Sequence, residues 1–304
     1  MNRRVSVVMM TRDRREQVLA TLRHLHDLPE RPPVILVDNG STDHTVDAVR
    51  RHFPEVTVLP QERNLGATAR TLGVQAARTP YVAFSDDDSW WAPGSLDRAA
   101  DRFDAAPRLG LLAARILIGP EERLDPICRQ MTDSPLALAD DLPGPPVLGF
   151  IACGAVVRRA AYLQVGGFNP VVFFFGEEAV LAQDLAAAGW GLAYVDDVVA
   201  HHHPQPGPTR VGRRRLEMRN RLLSTWLRRP WRTVLRQTWD LTRQARDSQV
   251  RGALWDAVQR LPAVWLNRRT LPAGVEADVR ALERTNAGQS QPGSVSRPGP
   301  VSSS

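Results

Sequence analysis

Four short apolar runs in the first 84 residues set what this chain can fold into. Val5–Met10, Val34–Val37, Val56–Leu59 and Tyr81–Phe84 are apolar almost throughout, as in strands buried on both faces rather than strands with one wet side. Helical spacing fills the gaps. It runs over 15–28 through Val18, Leu22, Leu25 and Leu28 until Pro32-Pro33 stops it, then over roughly 44–52, then from Asn64-Leu65-Gly66 through Ala77. Strands alternating with helices predict a mostly parallel sheet covered on both faces, an α/β fold. In such sheets ligands bind beyond the carboxyl ends of the strands.

Those ends are polar, and one is strongly acidic. The fourth run passes through Ser85 into Asp86-Asp87-Asp88-Ser89-Trp90-Trp91. Three adjacent carboxylates repel one another and resist burial, so they call for a cation. Hard oxygen ligands suit Mg²⁺ or Mn²⁺, which such sites usually share with substrate phosphates. A solvated acidic turn is the plainer reading of a lone D-D-D. Against it, Thr11-Arg12-Asp13-Arg14 and Asp38-Asn39-Gly40-Ser41 follow the first two strands and meet the triad at the same sheet edge.

Several ordered stretches together resemble the family 2 (GT-A fold) nucleotide-sugar glycosyltransferases of bacterial type. They are VSVVMMTRDRREQVLATLRHL, VILVDNGSTDHT, ERNLGATARTLGVQAA and YVAFSDDDSWWAPGSL, continued by CGAVVRRAAYLQVGGFNP, FFFGEEAVLAQDLAAAGW and VVAHHHP. The similarity spans about residues 4–225. It implies a GT-A catalytic domain over 1–210 and an inverting, metal-dependent transfer from a UDP- or dTDP-sugar to a hydroxyl. The acceptor it suggests is a cell-envelope glycan or a lipid-linked intermediate.

Residue by residue, the resemblance assigns Thr11 and Arg12 to the base pocket and Asp38 to hydrogen bonds with the base. Asn64, Gly66 and Arg70 match the N-x-G…R segment, where Arg70 would meet a phosphate or the sugar. Asp86 and Asp88 match the outer positions of D-x-D: Asp88 as metal ligand, Asp86 toward ribose or the metal, with Asp87 counted on the nucleotide side. Glu177-Glu178 stands where the family has Glu-Asp, so Glu178 is the expected general base and Glu177 its orienter. A carboxylate pair capping the helix that runs to about Ala188 is the structural alternative. His201 and then His202, expected just after a strand over Tyr194–Val199, match a histidine that completes the metal site.

The last quarter differs in character. The net charge is +6, every basic residue other than histidine is arginine, and residues 210–270 are dense in Arg and Trp. This predicts an amphipathic helical extension over 211–285, which either docks on an anionic membrane surface or caps the catalytic domain. A Ser/Pro/Gly tail from 286 is expected to be disordered. Cys128 and Cys153 form no metal or redox motif, and no stretch approaches a membrane span, so a cytoplasmic setting is expected, with contact at the inner face of the membrane. Two other classes compete. A nucleotidyltransferase would carry a glycine-rich phosphate loop after the first strand, where this chain has T-R-D-R-R. A purely basic module for membranes or nucleic acid would leave the acidic motifs of 38–178 without purpose; no nucleic-acid partner is expected.

Overall fold

The computed structural model describes residues 3–204 and 212–289, with the side chains of 287–289 left aside. Nine strands form one sheet: β1 Val5–Thr11, β2 Val34–Asp38, β3 Thr57–Pro60, β4 Tyr81–Ser85, β5 Ser89–Trp91, β6 Leu109–Ile118, β7 Arg123–Leu124, β8 Ala155–Arg158 and β9 Gly191–His202. The order is β3-β2-β1-β4-β8-β6-β9-β5, with β7 paired to β6. The four N-terminal strands pair in parallel, as the alternating pattern predicts. Beyond β4 the sheet is mixed: β8 runs antiparallel to β4 and β6, and β5 antiparallel to β9.

Helices α1 Arg15–His26, α2 Thr45–His52, α3 Ala69–Ala76, α4 Ser95–Ala105, α5 Pro126–Thr132, α6 Arg159–Val165 and α7 Glu177–Ala187 cover the sheet. Strand pleating sorts the core into two layers. Val5, Val7 and Met9 of β1 pack with Val18, Leu22 and Leu25 of α1 and Phe103 of α4. Val8 points the other way, to Val74 of α3, Tyr162 of α6 and Leu181 of α7. The edge strand β3 is half exposed, whereas β1, β2 and β4 are buried almost throughout.

The C-terminal part is helical: α8 Arg213–Arg228, α9 Trp231–Thr242, α10 Ser248–Val258, α11 Leu261–Asn267 and α12 Ala273–Gln289. A third core holds α8 to α11 to the catalytic unit, joining Val171, Val172 and Val180 to Leu223, Leu227, Val234, Ala257 and Val264. Two buried ion pairs reinforce it. Arg228 meets Asp184 of α7 at 2.8 Å, and Arg229 meets Glu276 of α12 at 2.6 Å. The expected tail lies largely outside the described residues, since α12 continues to Gln289 and 290–304 are not described. Among the described residues, no helix is long and apolar enough to cross a membrane.

Candidate active site

The register of the parallel strands aligns their ends. Thr11 lies opposite Asp38 and Met9 opposite Ser85, so the turns after β1, β2 and β4 converge at one edge. At the end of β2, Asp38 is buried, and its carboxylate accepts from both the backbone N–H (2.9 Å) and the hydroxyl of Ser41. Its neighbour Asn39 ties the edge to the next turn, donating to Gly66 O at 3.2 Å and accepting from Leu65 N at 3.1 Å. Gly66 has φ +61°, and a Cβ there would stand 2.4 Å from Phe173 O. Its lack of a side chain therefore serves chain packing. Asn64 closes the same turn by accepting from Gly66 N at 2.8 Å.

The three aspartates face different ways. Asp87 turns back into the protein, where it accepts from Thr11 Oγ1 at 2.9 Å and pairs with Arg14 Nε at 3.0 Å. Burial, with Asp88 and Asp86 adding to it against Arg14, pushes its carboxyl up to about 7. Thr11 and Asp87, expected at the nucleotide, thus spend their polar atoms on each other. Arg12 lies exposed, 3.5 Å from Asp13. Arg14, not singled out in the sequence, also reaches Asp88 at 3.2 Å. The pairing of β1 with β4 brings the turn after β1 beside the acidic turn, and of its two arginines there Arg14 reaches it while Arg12 does not.

Asp88 and His202 meet because β5 returns antiparallel along β9. Ser89 lies opposite His202, and His203 N donates to Asp88 O at 2.8 Å. His202 Nε2 is 3.5 Å from Asp88 Oδ1. Burial opposes its protonation, but the hydrogen bond and charge of Asp88, with Asp86 behind it, raise its pKa. The histidines belong to β9 itself rather than following it, so pleating sends His201 to the opposite face. There His201 lies 3.3 Å from Glu122 and stacks on Trp90, and burial lowers its pKa. His202 therefore replaces His201 as the histidine beside the acidic turn. Trp91 is core, and Trp90 stacks on His24 at 4.0 Å.

Behind the acidic turn lies a buried charge cluster. Arg70 is 2% exposed and bridges Asp86 and Glu177, the latter at 4.0 Å. Its burial disfavours the cation, yet Asp86, Glu177 and Glu178 raise its pKa. Arg70 thus orients carboxylates, where phosphate or sugar contact was expected of it. Glu177 is equally buried; desolvation and then Glu178, against Arg70, push it up to about 8. Glu178 is also raised by burial, but it is partly open and lines a groove beside α5. The pair opens α7 after a tight loop in which Phe173, Phe175 and Gly176 all have positive φ. Asn220 of α8 holds that loop, donating to Phe174 O and Phe175 O at 2.6 Å each.

Two carboxylates and an imidazole are a donor set suited to Mn²⁺ or Mg²⁺. Asp88 and His202 already face one another, while Asp86 leans to Arg70; among the described residues, no three such side chains converge yet.

The glycosyl transferase family 2 model matches residues 6–166. An N-acetylglucosaminyl-diphospho-decaprenol L-rhamnosyltransferase of Mycobacterium tuberculosis is 33% identical, over 57% of this chain and 67% of that protein. Among solved structures, a mannosyltransferase from Pyrobaculum calidifontis in complex with GDP-Man and Mn²⁺ is similar, with TM-score 0.57 and 19% identity. It covers 95% of this chain and 88% of that one. S. aureus TarS in complex with UDP-GlcNAc also has TM-score 0.57, with 16% identity over 73% and 65% of the two chains. At these identities the structures speak for the fold.

Proposed function

The chain belongs to glycosyl transferase family 2 and is a glycosyltransferase, and we propose that it is an inverting, metal-dependent enzyme. The donor is a UDP- or dTDP-sugar and the acceptor a hydroxyl on a glycan or lipid-linked intermediate. The observation that carries this reading is the division of labour between adjacent carboxylates: Glu177 is buried against Arg70, and Glu178 opens onto a groove.

Glu178 takes the proton of the acceptor hydroxyl as its oxygen attacks the anomeric carbon. The bond from that carbon to the diphosphate breaks on the far face, which inverts the centre. Its raised pKa makes Glu178 a stronger base than an ordinary carboxylate. Glu177, Arg70 and Asp86 fix the floor of the site, and Asp87 with Arg14 fixes the turn that presents Asp88. Asp88 and His202, with Asp86, would hold a divalent cation, which supplies charge neutralisation to a departing diphosphate. Asp38 and Thr11 shape the edge where the base is expected to lie. The relative named for a decaprenol-linked acceptor and the exposed Trp residues of α9 support a lipid-linked acceptor met at a membrane surface.

The test is nucleotide release over a panel of UDP-, dTDP- and GDP-sugars, with and without Mn²⁺, for the wild type and Asp88→Ala. We expect metal-dependent release with a UDP- or dTDP-sugar, abolished in the variant together with metal-dependent nucleotide binding. Full activity in Asp88→Ala, or in chelator, would remove the metal assignment.

A further inference from the structure

The start of α8 meets the end of α10 over a pocket of about 400 Å³, within the size range of small-molecule sites, about 300–1,000 Å³. Its walls include Phe173 and Phe175 of the loop before α7, Leu216 of α8, and Arg213, Arg219 and Arg260; every charged residue lining it is basic. Arg219 is only 8% exposed. Its Nε and Nη2 donate to a neutral amide, Asn220 Oδ1, at 2.9 and 2.7 Å. Its Nη1 donates to no group among the described residues and is not sealed from the pocket. Asp256 is the acid that favours this cation, but Arg215 already takes both its oxygens, at 2.7 and 2.6 Å. Arg213 pairs with Glu217 at 2.7 Å, and Arg260 reaches only the backbone carbonyl of Asp256, at 3.1 Å. Among the described residues, neither Arg219 nor Arg260 pairs with a carboxylate. Burial lowers the Arg219 pKa to about 10, and Arg260 and Arg215 add to that against Asp256. Gly212, the N-cap of α8 at the pocket wall, offers no side-chain cap, so the positive end of the helix adds to the same field. A buried cation without a counter-charge is costly, so the pocket suits an anion.

We infer that this pocket binds the phosphate of an anionic phospholipid. The phosphate lies between Arg219 and Arg260, whose planar guanidinium groups match its oxygens and supply the charge it needs. The hydrocarbon leaves along apolar side chains. Phe173, Phe175 and Leu216 wall the pocket itself, and Val258 and Leu261, before and after Arg260 in the chain, are exposed. A ligand with a hydrocarbon tail uses such an exit; a nucleotide diphosphate has no tail to place there. The inference goes beyond the proposed reaction and uses none of its donor, metal or base assignments. It gives the helical extension a site for a single lipid molecule, separate from the exposed tryptophans of α9.

The probe is dihexanoyl phosphatidic acid below its micelle concentration, titrated by calorimetry into the full chain. Inorganic phosphate, UDP and dihexanoyl phosphatidylcholine are titrated beside it. The variants are Arg260→Gln, Arg219→Lys and, as a control, Arg232→Gln, which removes an exposed arginine of α9 outside the pocket. Arg260 is partly exposed, so its variant decides if Arg219→Lys loses the fold. We expect saturable binding of phosphatidic acid, tighter by about tenfold or more than inorganic phosphate and phosphatidylcholine. Its affinity should fall by about tenfold or more in Arg260→Gln, and in Arg219→Lys because an ammonium lacks the fork, and stay unchanged in Arg232→Gln. Equal binding of inorganic phosphate would leave a free-phosphate site, and displacement of the lipid by UDP would give the pocket to a nucleotide; either result overturns the inference. So would absent binding, unchanged affinity in Arg260→Gln, or an equal loss in Arg232→Gln, which would reduce the effect to net charge.

Discussion

At the scale of single residues, the adjacent glutamates share a helix start and differ in surroundings. Glu178→Gln keeps shape and hydrogen bonding but removes the base, so kcat should fall by about 10²–10⁴-fold while donor affinity persists. Glu177→Gln should cost less. Comparing donor affinity and kcat for both variants separates the roles, and a larger kcat loss for Glu177→Gln would move the base back one residue. Glu177 also carries a stability signature. Its folded pKa, pushed up to about 8, lies above its unfolded one, so the native state binds the extra proton. Its contribution is full below the ordinary carboxylate range and is lost as pH rises through about 8. Melting curves from pH 5 to 9 should show that decline in the wild type and a flatter profile in Glu177→Gln; parallel profiles would refute the assignment.

At the scale of elements, one loop and one strand set the site. The loop before α7 holds two phenylalanines at positive φ, each costing about 1–3 kcal/mol. Such a conformation persists only when its surroundings fix it. Asn220 does this from α8, while Arg219 reaches Val172 O at 3.5 Å. These residues grip the loop that leads into the glutamates. Asn220→Ala should destabilise by about 1–3 kcal/mol through loss of its two hydrogen bonds to the loop. Because Glu178 loses its aim, kcat should fall more than acceptor KM rises. Denaturant melts and steady-state kinetics read both effects, and an unchanged kcat would confine Asn220 to stability. Strand β9 works by pleat: a one-residue shift against β5 would bring His201 to Asp88 in place of His202.

At the scale of the whole molecule, the extension is both cap and surface. Its inner side shares the third core and the Arg228–Asp184 pair, and breaking a buried pair costs about 3–5 kcal/mol. Ending the chain at Pro230 would remove Val234, Ala257 and Val264 from that core, so a shortened enzyme would lose fold. The outer side presents Trp231, Leu235 and Trp239 at 56–68% exposure, a stripe at spacing i, i+4, i+8. Arg268 lies 4.1 Å from the Trp231 ring centre and Arg243 5.6 Å from that of Trp239. Aromatic anchors flanked by arginine suit an anionic lipid surface. Co-sedimentation with phosphatidylglycerol vesicles should be clear for the wild type and greatly reduced for the double variant Trp231→Ser, Trp239→Ser. Equal sedimentation of the two would remove α9 as the contact.

The sequence by itself determined the parallel half of the sheet, because buried strands must be apolar on both faces and the four runs are. It also located the acidic turn at a strand end and the glutamate pair at a helix start, since both are local, contiguous signals. Three things were decided only by tertiary structure. Which aspartate faces out depended on Thr11 and Arg14, brought beside Asp87 by the pairing of β1 with β4. Which histidine faces Asp88 depended on the register of β5 against β9, and register is invisible in a run of three identical residues. That α12 stands beside Glu178, about a hundred residues away in the chain, depended on the ion pairs of Arg229 with Glu276 and Glu283, which no local pattern announces.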